Sequence, residues 1–471
     1  MTDNSYQAVM ARRNDIMKQA VGMDYSLYAR GHLAFDYQAM MSEAGYSLDE
    51  VIVVQRETGV GNTPLYELKN ITRLVRQTAA KGKGARIFLK DEAANPSGSF
   101  KARRAALSIY HAAKHGFKGV VAATSGNYGA AVASQAAMRG LKCIIVQEAF
   151  DSRGVFQPEI AEKGRACETY GAEVMQLSVG PELFYVFLRT LEETGFFNAS
   201  LYTPYGIAGV ETLGWEIVQQ LQEKYNVKPD MVIATHAGGG NLTGTARGLR
   251  KAGSDATVVG ASVDLRGLHM ASDNDFNRKS FTTGHTGFGV PFTTWPDRAD
   301  VPRNAARSLR YMDRYVTVTQ GEAFYVTELL AQLEGLERGP AGNISLAAAM
   351  ALAREMDQDQ VLVVQETEYT GAGKHVTAQL SFARKNGIKI ATGDPATSKA
   401  GQSIILPEHP GQIRVEEMDM DALRRSYIKN ALAQLDGREL CREDISFLAE
   451  DSRSTPEFVD SIVQGGTKNG A

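Results

Sequence analysis

Cysteine is scarce in this chain: three in 471 residues, Cys143, Cys167 and Cys441, with no Cys-x-x-Cys pair. That excludes a disulfide scaffold and a zinc ribbon, and it indicates a reducing compartment, the cytoplasm. Packing is the expected role of all three. No apolar run is long enough to span a bilayer, and the polar stretch Met1 to Met10 lacks the apolar centre of a signal peptide. No excess of positive charge exists either. Lys and Arg number 51 against 54 Asp and Glu, for a net charge of −3. Nucleic acid and membrane surfaces are therefore not the expected partners, and no metal is expected.

Glycine, in contrast, is abundant at 46 residues, as in chains whose backbone must turn tightly or approach a ligand. The length suggests roughly two or three domains. One stretch combines both kinds of signal: Asn95-Pro96-Ser97-Gly98-Ser99-Phe100-Lys101. It follows the strand-like run Ala85 to Lys90 and precedes the helical composition of Ala105 to Ala113. Lys101 thus stands at or beside a helix start, where unpaired N–H groups favour an anion and disfavour an ammonium ion. A lysine so placed suits a nucleophilic amine or a Schiff base. A solvated lysine at a helix start is the plainer reading of the motif alone.

The rest of the chain alternates. Residues 1–60 read as mostly helical, an arm packing on the body or on a second subunit. Gly59 to Leu65 is a turn cluster. Strands are expected at Lys118–Ala123, Leu141–Val146 and Ala172–Leu177, with helices at Tyr128–Met138, Pro158–Tyr170 and Glu182–Thr194. Such alternation predicts parallel pairing. A helix from Gly209 leads to a second unit with strands at Asp230–Thr235, Ala256–Val263, Tyr315–Val318 and Gln360–Gln365. Residues 273–307 read as a long loop, and Ser345–Glu355 as a helix rich in small residues. After Gly393 the chain is punctuated by Pro, Gly and Ser to Gly411, and an amphipathic helix is expected over Met418–Leu435. The expected division is an arm (1–58), a larger discontinuous domain (59–105 and 216–398), a smaller one (106–215) and a C-terminal extension (399–471).

Three further motifs follow strands. Thr124-Ser125-Gly126-Asn127-Tyr128-Gly129 opens a helix, and its N–H groups suit a carboxylate; a simple Asn turn is the alternative. His236-Ala237-Gly238-Gly239-Gly240-Asn241-Leu242 lets backbone approach a phosphate at a helix start, or makes only a tight turn. Its spacing fits neither a dinucleotide fingerprint nor a Walker loop. Thr370-Gly371-Ala372-Gly373-Lys374-His375 follows the acidic pair Glu366 and Glu368, and offers a hydroxyl at a strand end.

In this order the motifs resemble the fold-type-II pyridoxal-phosphate enzymes, a tryptophan synthase beta-like fold that includes threonine synthase and the serine and threonine dehydratases. The resemblance implies two open twisted α/β domains with the cofactor between them. It implies that Lys101 carries the cofactor, that Asn127 bonds its phenolic oxygen, and that Gly238, Gly239, Gly240, Asn241 and Leu242 bind its phosphate. Thr370 would face the ring nitrogen; Thr124, Ser125, Gly126 and Asn127 would take the substrate carboxylate. Ala102 stands where threonine synthases usually carry an Asp.

Over roughly residues 20–410 the chain resembles more narrowly the beta subunits of 2-amino-4-oxopentanoate thiolase, of ornithine degradation. That family cleaves 2-amino-4-oxopentanoate with coenzyme A to acetyl-CoA and alanine, beside a smaller alpha subunit. The resemblance implies coenzyme A as co-substrate, the alpha subunit as partner, and a homodimer of this chain within the complex. His269, His285 and His375 are candidates for thiol deprotonation, with a structural role as the plainer reading. The same motifs would also serve an amino-acid lyase or deaminase that uses no coenzyme A, or a non-catalytic scaffold.

Overall fold

The computed structural model describes residues 3–124, 126–150, 156, 158–177, 182–200, 202–263, 303–369, 375–399, 402–435 and 437–467. Four short helices come first, Tyr6–Ala11, Arg13–Val21, Tyr37–Glu43 and Leu48–Arg56. Ser5 and Asp36 cap two of them, and Ser47 with Glu50 forms a capping box on the fourth. They pack on the body, where Tyr37 stacks on Phe447 and Val9 and Met17 join the cluster around Phe187.

The chain then lays down β1 (Leu65–Glu67) and β2 (Arg86–Asp91) and leaves to build a separate sheet. That sheet consists of β3 (Gly119–Ala123), β4 (Lys142–Glu148), β5 (Glu173–Leu177) and β6 (Phe197–Asn198), parallel throughout in the order β5-β4-β3-β6. The chain returns with β7 (Met231–Thr235), β8 (Thr257–Val263), β9 (Arg314–Val318) and β10 (Val361–Glu366). A small parallel pair, β11 (Lys389–Thr392) and β12 (Ser403–Leu406), follows, and then β13 (Glu416–Glu417). The larger sheet has the order β1-β2-β10-β7-β8-β9-β13, parallel inside and antiparallel at both edges. β10 is buried at every residue, which is why it reads Val-Leu-Val-Val without alternation. The result is the expected α/β class with two open sheets.

Three details differ from the expectations. The helix expected from Gly209 begins at Pro204 and runs to Tyr225, its start set by the Thr203 side chain accepting from Gly206 N and by proline at the first position. The helix expected at Ser345 begins at Pro340 and ends at Ala353, for the same proline reason. The punctuated stretch after Gly393 contains β12, which pairs with β11. The long loop of 273–307 lies outside the described residues up to Pro302.

The Pro204–Tyr225 helix lies tightly on the Gly240–Lys251 helix. A Cβ on Gly214 would stand 2.0 Å from Thr245 O, and one on Gly248 would stand 1.9 Å from Glu211 O. Far along the chain, the Met420–Leu432 helix buries Leu423, Tyr427, Ile428 and Ala431, so its apolar face is taken by its own body. Asp444 Oδ1 accepts from Leu33 N and Ala34 N at 2.7 and 2.8 Å, tying the C-terminal region to the first helices. Nearby, Asp451 is buried against Arg307 and Arg310. Among the described residues, no helix is long and apolar enough to cross a membrane.

Candidate active site

Lys101 is the first residue of the Lys101–Lys114 helix. The turn that presents it is held from below. Phe100 N donates to Thr367 O at 3.0 Å, Tyr369 N donates to Gly98 O at 2.8 Å, and Ser99 bridges to Glu368. The Lys101 turn is thus stitched to the chain leaving β10. Ser97 and Gly98 both take the left-handed conformation, φ 64° and 70°, and a Cβ on Gly98 would stand 3.1 Å from Tyr369 O. A non-glycine residue such as Ser97 held there carries backbone strain, as is common where geometry is fixed for function.

Asn127 opens the Asn127–Met138 helix, which packs on the Pro96–Gly98 turn. It is buried, and its Nδ2 donates to Glu368 Oε2 across the space between the two sheets. Thr124 N is spent on Val146 O at 2.9 Å. Gly126 faces open space: a Cβ there would meet nothing within 4 Å.

The glycine loop follows β7. Gly239, at φ 79°, caps the Gly240–Lys251 helix. Side chains would have no room in it. A Cβ on Gly238 would fall 1.4 Å from Tyr202 Oη, one on Gly239 2.7 Å from Ser308 Oγ, and one on Gly240 2.5 Å from Arg104 Nη2. His236 Nε2 contacts the same Ser308 Oγ at 3.0 Å. Leu242 is fully buried in the core, so it can offer the loop only its backbone N–H. Gly240, Asn241 and Leu242 occupy the first turn, where N–H groups have no partner within the helix.

These loops all lie at the carboxyl ends of parallel strands, where open α/β sheets bind ligands. The buried polar atoms there fit a phosphorylated ring cofactor. Among the described residues, Asn127 Oδ1, Asn241 Oδ1 and Nδ2, Ser97 Oγ, Ser99 Oγ and Glu368 Oε1 lack hydrogen-bond partners. Orphaned buried groups cost roughly 1–3 kcal/mol each, so such a cluster needs an explanation. Ser125 and Thr370, with His269 and His285, lie outside the described residues. His375 is described and caps the Val376–Lys385 helix through Nδ1, which accepts from Thr377 N at 3.4 Å. Cys143 and Cys167 are buried; burial pushes Cys167 up to about 12 and raises Cys143 still further, and the hydrogen bond to Asp444 raises Cys441.

Four residues at the site escaped the sequence reading. Arg104 is buried between the Phe100 and Tyr202 rings, at 5.1 and 5.5 Å, beside Gly240. It lies three residues after Lys101 on one helix, a spacing that shares a face and was a usable signal. In the sequence Glu368 shows only as part of an acidic pair with Glu366. Tyr202 and Ser308 carry no local signal, since only the packing of distant segments brings them to the glycines.

Two open α/β sheets with a helix-start lysine and a crowded glycine loop at their strand ends define the fold of the fold-type-II class. The family model described as pyridoxal-phosphate dependent enzyme matches residues 56–367. The chain belongs to that family and its cofactor is pyridoxal 5'-phosphate. It is 66% identical over 462 residues to the 2-amino-4-ketopentanoate thiolase beta subunit of Acetoanaerobium sticklandii, covering 98% of each chain. A threonine synthase of Halalkalibacterium halodurans is 30% identical over 311 residues, 63% of this chain and 80% of that one. The crystal structure of O-ureido-L-serine synthase shares the fold, with a TM-score of 0.52 at 21% identity over 67% of this chain and 91% of that one.

Proposed function

We propose that the chain is the cofactor-bearing beta subunit of a 2-amino-4-ketopentanoate thiolase. It cleaves that substrate (2-amino-4-oxopentanoate) with coenzyme A to acetyl-CoA and alanine in ornithine catabolism. The carrying observation is the end-to-end identity of 66% over 98% of both chains. The threonine synthase match stops at 63% of this chain.

Bound at the site, pyridoxal phosphate supplies an electron sink for the substrate's α carbon. The chain's own residues do the rest. Lys101 holds the cofactor and carries the proton to and from the α carbon. Gly238, Gly239, Gly240, Asn241 and Leu242 take the phosphate on backbone N–H groups, assisted by the helix start. Arg104 adds a positive charge beside Gly240; burial lowers its pKa, and an anion on the neighbouring amides offsets that penalty. Asn127 would hold the phenolic oxygen, and Thr370 is the residue we assign to the ring nitrogen. Thr124, Ser125, Gly126 and Asn127 receive the substrate carboxylate on the open side at Gly126. We assign the larger domain to 59–105 and 216–398 and the smaller to 106–215, between the arm 1–58 and the extension 399–471.

Cys143 and Cys167 are buried and Cys441 is hydrogen-bonded to Asp444 in the C-terminal region, so in this reading coenzyme A attacks directly. A smaller alpha subunit partners this chain and contributes to thiol handling. A homodimer of the chain forms the centre of the complex, in the cytoplasm. The test is an assay of substrate, coenzyme A and the purified chain, with and without the alpha subunit. Acetyl-CoA and alanine are expected with both, and exchange of the α proton with solvent from this chain alone. Pyruvate release without coenzyme A would instead make the chain a lyase.

A further inference from the structure

We propose that Glu368 is a positioning residue for the cofactor, acting through the Asn127 amide. This rests on the cofactor reading above. Glu368 is held by backbone on both sides. Its carbonyl accepts from Gly339 N at 3.1 Å, it bridges to Ser99, and the residues flanking it bond Gly98 O and Phe100 N. Its side chain therefore leaves a fixed point, 5% exposed. One carboxylate oxygen accepts the Asn127 Nδ2 proton, and the other has no partner among the described residues.

An amide can face a ligand with either end, and the two ends have opposite polarity. A carboxylate can only accept. By taking one Nδ2 proton, Glu368 fixes which end of Asn127 is nitrogen, and it leaves the second Nδ2 proton for an acceptor in the site. The phenolic oxygen of pyridoxal phosphate is such an acceptor. Without Glu368 the amide is free to turn and offer Oδ1, which repels that oxygen.

The surrounding charges concentrate this effect. Glu366 lies two residues earlier, on the same side of the extended chain. Burial first, then the charges of Asp91 and Glu368, raises its pKa well above the usual range. Asp91 is engaged by Arg338, Nε to Oδ1 at 2.8 Å. Lys101 begins its helix two residues beyond Ser99. With Asp91 taken by Arg338, the Glu368 carboxylate is the group that meets Asn127.

The experiment uses the full chain loaded with pyridoxal phosphate, carrying Glu368→Gln, Glu368→Ala, Asn127→Ala or Glu368→Ala with Asn127→Ala. Glu368→Ala is expected to weaken cofactor binding about tenfold, the scale of one charge-assisted hydrogen bond. In the Asn127→Ala background the same change is expected to cost less than about twofold, because coupled residues are not additive. Glu368→Gln keeps an acceptor and removes a negative charge. It should hold the cofactor nearly as tightly, while the pH midpoint of the visible absorption band falls by about one unit, since a nearby anion favours the protonated form. Additive losses in the double variant, or an unmoved midpoint in Glu368→Gln, overturn the positioning role. A wild-type chain with no borohydride-sensitive visible band overturns the cofactor reading itself, and the inference with it.

Discussion

The Lys101–Lys114 helix carries two adjacent buried arginines, and they sit in opposite kinds of surroundings. Arg103 is enclosed by its own chain. Its guanidinium donates to both oxygens of Glu92 at 2.7 and 2.8 Å, to both of Glu216 at 3.0 and 2.7 Å, and to Thr212 at 2.9 Å. Lys90 completes the set, 2.8 Å from Glu216. Arg104, one residue on, lies against two aromatic rings and the glycine loop. Burial opposes both cations; at Arg103 the two glutamates more than restore the charge, while at Arg104 burial prevails. Among the described residues, none of the unpartnered buried side-chain atoms belongs to the Arg103 cluster. Arg103 is matched by two carboxylates of its own chain, whereas Arg104 stands on two aromatic rings beside Gly240, in the loop assigned to the cofactor phosphate.

Substitutions along this helix can break that contrast. The largest effect is expected for Lys101→Ala: turnover falls by at least about 10³-fold, and no cofactor is fixed by borohydride, with the fold intact. Cofactor fixed to another lysine in that variant would remove Lys101 from its role. Next comes Arg103→Ala, which leaves Glu92 buried without its cation and Glu216 with Lys90 alone, and should cost about 3–5 kcal/mol in urea unfolding. Cofactor affinity measured below the unfolding range should change little. Arg104→Met should invert the pattern, with cofactor bound about 10- to 30-fold more weakly and apo-protein stability nearly unchanged. Equal losses of stability in both variants would erase the distinction.

The smallest effect concerns a further buried arginine cluster, Arg307 and Arg310 on either side of Ser308. Burial alone would raise the Asp451 carboxyl, but Arg307 and Arg310 outweigh it and hold the group at about 2, against an ordinary 3.8. A depressed carboxyl stabilises the fold above its unfolded value and loses that contribution as pH falls through the folded one. Stability worth about 2 kcal/mol should therefore disappear between roughly pH 4 and pH 2. Asp451→Asn should flatten this part of the acid unfolding curve, which circular dichroism can follow.

Much of this architecture was legible in the sequence. The strand and helix alternation from Lys118 to Thr194 matches β3, β4, β5 and their helices within a residue or two, because buried parallel strands read as unbroken apolar runs. The Lys101, Asn127 and Gly238–Leu242 stretches announced themselves by glycine and proline punctuation at strand ends. Start positions were lost where glycine lowered helical propensity, as at Gly206, Gly209 and Gly214, although close helix packing is what requires Gly214. β11 and β12 are four residues each, too short for alternation to register. The contacts of Tyr202 and Ser308 with the glycine loop depend on segments far apart in sequence, which no local pattern encodes.

The bond from Asp444 to Leu33 and Ala34 has a consequence for how the chain is made. Its partners are 411 and 410 residues apart. At a synthesis rate of about 5–20 residues per second, the first helices wait roughly 20–80 s for the carboxylate that latches them. Both sheets can form in that interval, since every strand precedes Asp444. The arm, translated ahead of both sheets, is fastened after they already stand, and until then its apolar face is a surface for chaperones to guard.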